Sequence, residues 1–271
     1  MASSNPAFSR NPAFAAQGSA AANSLTEADL QRIYEAPSAG SQDTGRMTYE
    51  DTIVKTTLSF ALLLVTAAAS WLLTPTMPFL PFLPFLGMIV GLVLGLVNAF
   101  KKEPSPGLIL AYAAAEGLFV GGISYIFEAI YPGIVVQAVL ATLVVVGVTL
   151  ALFASGKIRA SKRATKVFLI AMVGYFVFSM LNFGLVAFGA IDSPFGLSSN
   201  VKIFGIPLGV AIGILAVLMA AYSLVLDFDF IQRGVNNRVA RKYGWSGAFG
   251  IMVTVVWLYV ELLRLFAISR N

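Results

Sequence analysis

Seven continuous apolar stretches, each about 20 residues long, run through this chain of 271 residues. In lipid every backbone N–H and C=O needs an internal partner, and a helix of that length supplies them all while crossing the hydrocarbon. A closed β-barrel would show short segments of alternating polarity instead. The pattern predicts an all-α, polytopic membrane protein with seven transmembrane helices. Four carboxylates, Glu116, Asp227, Asp229 and Glu261, lie within or at the edges of these stretches. A charge there costs at least roughly 2.5–3.5 kcal/mol on the insertion scale, so such residues usually line a water-filled path, sense protons or hold an ion.

Composition narrows the chemistry. Hydrophobic residues make up 58% of the chain and charged residues 11%, as expected for a membrane domain. There is no histidine and no cysteine. That excludes Ser–His and Cys–His hydrolysis, including a rhomboid-type intramembrane protease. It also makes zinc, haem and iron–sulfur sites improbable. No GxGD sequence marks an aspartyl intramembrane protease, and the last stretch has no lysine for a retinal Schiff base. The chain is therefore expected not to be an enzyme and to need no cofactor. Carboxylates, hydroxyls, amides and carbonyls remain as ligands, which suit protons and hard cations such as Ca²⁺. No residue set is assigned to a resident metal.

Residues 1 to about 50 are small and polar, and are expected to form a disordered tail before a seven-helix domain over 51–271. Asn5-Pro6-Ala7-Phe8 recurs there as Asn11-Pro12-Ala13-Phe14, either a chance duplication or a docking motif for an unknown protein partner. Ser24–Tyr34 has the pattern of a short amphipathic helix. The spacing predicts spans over about 53–73, 84–100, 108–130, 134–154, 167–190, 206–230 and 245–266. A Pro-Phe-Leu unit repeated three times over 78–86 opposes a regular helix before Pro84. Gly87, Gly91 and Gly95, and again Gly205, Gly209 and Gly213, form doubled GxxxG patterns that let a second helix approach closely.

Loop charge predicts the orientation. Lys101, Lys102, Lys157, Arg159, Lys162, Arg163, Lys166, Arg233, Arg238, Arg241 and Lys242 lie in or beside the loops after the second, fourth and sixth spans, and only Lys202 lies in the opposite loops. Those basic loops are expected on the cytoplasmic side, with the N-terminus inside and the C-terminus outside. This asymmetry accounts for the basic character without nucleic acid.

Each intramembrane acid has a structural alternative. Glu261 has Arg264 at i+3 and Asp229 has Arg233 at i+4, so each can form a local ion pair. Tyr175, Ser179 and Asn182 share one polar stripe, which serves either as interhelical glue or as the lining of a path. Glu116 and Asp227 have no basic residue three or four positions away. Ser223 lies one turn before Asp227 on the same face, and Thr254 lies two turns before Glu261. These polar residues complete the candidate site.

Three segments carry a family resemblance: Ala111-Tyr112-Ala113-Ala114-Ala115-Glu116-Gly117 with Gly121-Gly122, Leu226-Asp227-Phe228-Asp229-Phe230-Ile231 with Arg233-Gly234, and Trp257-Leu258-Tyr259-Val260-Glu261-Leu262-Leu263-Arg264. In this order on seven spans the chain resembles the Bax inhibitor-1 family, most nearly its bacterial YccA-like members, over roughly residues 50–268. The resemblance implies a bundle with the last helix central, in a plasma membrane. It also implies a pH-sensitive Ca²⁺ leak channel whose sensor is a pair of aspartates on the sixth and seventh spans. Asp227 matches the first aspartate. Thr254 stands where the second would be, with Glu261 two turns further along, so the partner of Asp227 is open between Glu261, Glu116 and Asp229. The alternatives in function are a proton-coupled secondary transporter, and a regulator of membrane proteases or stress responses that transports nothing.

Overall fold

The structure, a computed structural model, describes residues 45–76, 82–191, 193, 195–203 and 205–270. The tail, its Asn-Pro-Ala-Phe repeat and the Ser24–Tyr34 segment lie outside these residues. Among the described residues, seven helices are long and apolar enough to cross a membrane. They are α1 (Tyr49–Leu73), α2 (Phe82–Phe100), α3 (Pro106–Ile130), α4 (Ile134–Ala154), α5 (Lys162–Ala187), α6 (Leu208–Asn236) and α7 (Gly244–Arg270). A helical turn, Leu197–Asn200, and a two-stranded hairpin of Lys202–Ile203 with Ile206–Pro207 fill the α5–α6 connection.

The helix ends follow local chemistry. Thr48 caps α1: its hydroxyl accepts from Asp51 N at 3.2 Å, and Glu50 and Asp51 place negative charge in the first turn, where the helix dipole favours it. The Ser161 hydroxyl caps α5 by accepting from Ala164 N at 3.2 Å. Gly133, with φ +81°, turns the chain into α4. The Glu128 carboxylate accepts there from Gly133 N at 2.6 Å and Val135 N at 3.0 Å. Helix α2 starts at Phe82, two residues before the expected Pro84. The difference is small because first-turn amides lack an intrahelical acceptor, so proline costs nothing there. Helix α6 starts at Leu208 instead of Ile206, which the hairpin takes, and continues a turn and a half beyond the apolar stretch through Arg233.

The last helix is central. In α7, 56% of the apolar window is buried, against 44% in α3 and none in α5. It packs directly on α1, α3, α4 and α6, while α2 lies on α3. Between helices in lipid, close packing replaces the hydrophobic driving force, and small residues set how close the helices come. A Cβ on Gly87 would lie 2.7 Å from Ala115 O, and one on Gly91 would lie 2.8 Å from Glu116 Oε1. The first glycine series therefore forms the α2–α3 seam. In the second series, Gly209 and Gly213 meet Ile268 and Leu265 of α7, whereas Gly205 has nothing within 4 Å and instead sits in the hairpin turn at φ +83°.

Packing begins before residue 51. Met47 is 2% exposed, its amide donates to Val239 O at 2.8 Å, and Arg241 N donates to Gly45 O at 2.9 Å. The chain thus joins the bundle beside the α6–α7 connection, at the end carrying the basic loops.

Candidate functional site

The four intramembrane acids separate into two kinds. Asp229 and Glu261 have cation partners. Asp229 Oδ2 lies 2.6 Å from Arg233 Nη2, on a side chain that is 66% exposed, so this pair marks the rim of the bundle. Glu261 is buried at 5% exposure. Its Oε2 accepts from Arg264 Nη2 at 2.8 Å and Nε at 3.2 Å, and its Oε1 accepts from the Tyr175 hydroxyl of α5. Its charge is compensated by Arg264.

Asp227 and Glu116 have no ion pair among the described residues. Asp227, half-buried on α6, turns onto α7. Its Oδ2 accepts from the Thr254 hydroxyl at 2.7 Å, and Thr254 Oγ1 lies 3.1 Å from Ser223 Oγ. Because a threonine hydroxyl has one proton, and Thr254 gives its proton to Asp227, Ser223 is the donor in the second contact. The result is a directed chain, Ser223 to Thr254 to the carboxylate, which spans two helices. Gly250 makes room for it: a Cβ there would lie 2.6 Å from Asp227 Oδ1. Glu116, half-buried, faces α2 at Gly91 instead.

The structure therefore joins Asp227, Thr254 and Ser223, and leaves Glu116, Asp229 and Glu261 in three other places. No hydrogen bond or ion pair links two of these carboxylates among the described residues. Asp227 is held by the Thr254 hydroxyl, with Ser223 behind it, and not by an acid from the expected set. Asn182 belongs to neither acid. Its Nδ2 donates to Phe195 O at 3.2 Å, and its Oδ1 accepts from Leu197 N at 2.7 Å, so it fastens α5 to the α5–α6 connection. The Tyr175–Asn182 stripe thus divides into one contact with Glu261 and one with a loop.

A second buried charged group lies at the basic end and was missed in the sequence. Asp51 and Lys55, each 7% exposed, pair at i, i+4. Arg241 Nε donates to Asp51 Oδ1 at 2.8 Å, and Lys55 Nζ donates to Arg241 O at 2.7 Å. The Lys55 ammonium also lies 5.8 Å from the Trp245 ring centre. The available signal was a lysine inside an apolar stretch, four residues after an aspartate. Gly250 was missed too, because no GxxxG series includes it.

The carboxylate of Asp227 and the hydroxyls of Thr254 and Ser223 form a set of hard oxygen ligands. Ca²⁺ takes six to eight oxygens, and no group of three or more His, Cys, Asp or Glu side chains capable of holding a metal occurs among the described residues. The site therefore suits a proton or a passing, mostly hydrated cation better than a resident metal.

A comparison with curated proteins returned no match. The sequence profile of the Bax inhibitor 1 like proteins matches residues 5–271, and the chain belongs to that family.

Proposed function

We propose that this membrane protein is a pH-sensitive cation leak pathway, releasing Ca²⁺ across a bacterial plasma membrane, with Asp227 as the group that takes up and loses the proton. One observation carries the reading: inside the bundle Asp227 meets the Thr254 hydroxyl and, among the described residues, no cation, while Glu261 is neutralised by Arg264. A carboxylate without a fixed counter-charge is the one whose occupancy by a proton or metal cation changes the local charge. Few ligands and neutral neighbours also favour passage, because conduction needs binding weak enough to release the ion. Family membership supports the choice of Ca²⁺, and the basic loops support a cytoplasmic N-terminus.

Protonation also changes the hydrogen bonds. An ionised Asp227 only accepts, whereas a protonated one can donate to Thr254. Thr254 can then donate to Ser223, reversing the chain between α6 and α7. The test is Ca²⁺ flux into liposomes containing the full chain, measured across a pH series. The Asp227→Asn variant should lose most of the pH response. Unchanged flux and pH response in that variant would remove Asp227 from the gate. Flux indistinguishable from empty liposomes at every pH would favour a regulator without transport.

A further inference from the structure

Helices α1 and α4 both rest on α7, and the crevice between them holds two clefts. One, of about 430 Å³, lies between Phe60–Trp71 of α1 and Val135–Leu143 of α4, with Val255 and Tyr259 of α7 at its base. The other, of about 410 Å³, lies at the basic end between Tyr49–Thr57 of α1 and Leu150–Ala154 of α4. Phe228, Ile231 and Gln232 of α6 and Ile251 of α7 form its floor. Ile251, Val255 and Tyr259 recur every four residues, so one face of the central helix contributes to both clefts. Both volumes are ligand-sized, and the helices that flank them face lipid.

The two clefts differ at their mouths. At the basic end stands Arg159, in the loop just after α4. Its guanidinium lies 4.4 Å from the centre of the Phe153 ring, and Nη1 donates to Gln232 Oε1 at 3.0 Å. Phe153 and Gln232 are both cleft-lining residues, so the arginine is positioned on the cleft itself. Among the described residues Arg159 forms no ion pair. A neutral amide and an aromatic face orient it and leave most of its five N–H donors unused. Lys157 adds a second exposed positive charge two residues earlier.

We infer that this cleft binds an anionic phospholipid, with the headgroup phosphate on Arg159 and one acyl chain lying in the α1–α4 crevice. Arginine matches phosphate through its planar set of donors. A basic group at the mouth of an apolar groove between transmembrane helices fits both halves of such a lipid. The inference does not depend on what crosses the bundle.

The test is native mass spectrometry of the purified full chain in detergent, titrated with phosphatidylglycerol or phosphatidylcholine of identical acyl chains. The parent should bind phosphatidylglycerol more tightly. Arg159→Gln, at an exposed position, should weaken phosphatidylglycerol binding about fivefold, corresponding to roughly 1 kcal/mol per basic residue near the headgroups, and should weaken phosphatidylcholine, which carries the same phosphate but no net charge, by less. Ile53→Trp, which fills the cleft from a position 63% exposed, should weaken both lipids. Arg163→Gln, a charge in the first turn of α5 outside the cleft lining, should change neither. Equal binding of the two lipids by the parent overturns the inference, as does an equal loss in Arg163→Gln and Arg159→Gln. A dimer of the parent that Ile53→Trp dissociates would assign the crevice to a second copy of the chain and overturn it as well.

Discussion

Gly250 of α7 and Asp227 of α6 occupy one space: the Cβ that Gly250 lacks would lie 2.6 Å from Asp227 Oδ1. The Gly250→Ala variant should therefore retain its helix but push the carboxylate away from Thr254. Expected is a loss of about 1–3 kcal/mol from overpacking, together with a pH response displaced from the parent's. Thermal unfolding in detergent and liposome flux measure the two effects. A variant matching the parent in both would show that the carboxylate does not need this space.

Thr254 tests the hydroxyl chain directly. Thr254→Val keeps the shape of the side chain and removes the donor to Asp227. A half-buried carboxylate left without its donor should cost about 1 kcal/mol or somewhat more, since the full penalty of about 1–3 kcal/mol belongs to a buried acceptor. Ser223→Ala removes only the outer link and should cost no more than about 1 kcal/mol. Equal losses from the two variants would contradict the assigned order, in which Ser223 acts through Thr254.

At Glu261 the asymmetry of a buried pair can be measured. Arg264→Met leaves the carboxylate with Tyr175 as its remaining donor and should cost about 3 kcal/mol. Glu261→Gln removes the charge that needed compensating and should cost less, about 1 kcal/mol. Because Arg264 already neutralises Glu261, Glu261→Gln should retain the parent's pH response in flux assays. The opposite ranking of stabilities, or a lost response, would show that Glu261 belongs to the gate.

Glu103, between α2 and α3, accepts from Lys242 at 2.7 Å, and that ammonium holds its carboxyl below the ordinary value. A lowered value in the folded state means stabilisation that is full above the unfolded-state pKa and fades as pH falls through the folded one. Both groups are exposed, so the effect is small. The melting temperature of Glu103→Gln should lie slightly below the parent's at neutral pH and meet it in acid. A gap that widens in acid would reverse the assigned sign.

The sequence carried the bundle well, because a membrane asks for length and apolarity, and both are read along one segment at a time. The Glu261–Arg264 and Asp229–Arg233 pairs were legible for the same reason: three- and four-residue spacings lie on one helix face. The match of Tyr175 to Glu261 was not legible, since the two residues are 86 positions apart and only packing brings them together. Ser223 was readable from Asp227 by spacing alone, whereas spacing tied Thr254 to Glu261 and only packing shows it bonded to Asp227. Charge is conspicuous in a membrane sequence, so acids stand out as partners for Asp227. A hydroxyl costs little to bury and leaves no such mark. Lys55 escaped notice because one lysine hardly lowers the apolarity of a 25-residue helix.

Helix α5 buries no residue. It is held through Thr165, whose hydroxyl lies 2.9 Å from the Tyr222 hydroxyl, through Tyr175 at Glu261, and through Asn182 at the α5–α6 connection. Lipid tails recognise apolarity but not shape, so most of its remaining positions are free to exchange leucine, valine, phenylalanine and methionine. The central helix has no such freedom. Among descendants of this gene, substitutions should accumulate along α5 between those three fixed positions, while α7 should drift slowly along its whole length.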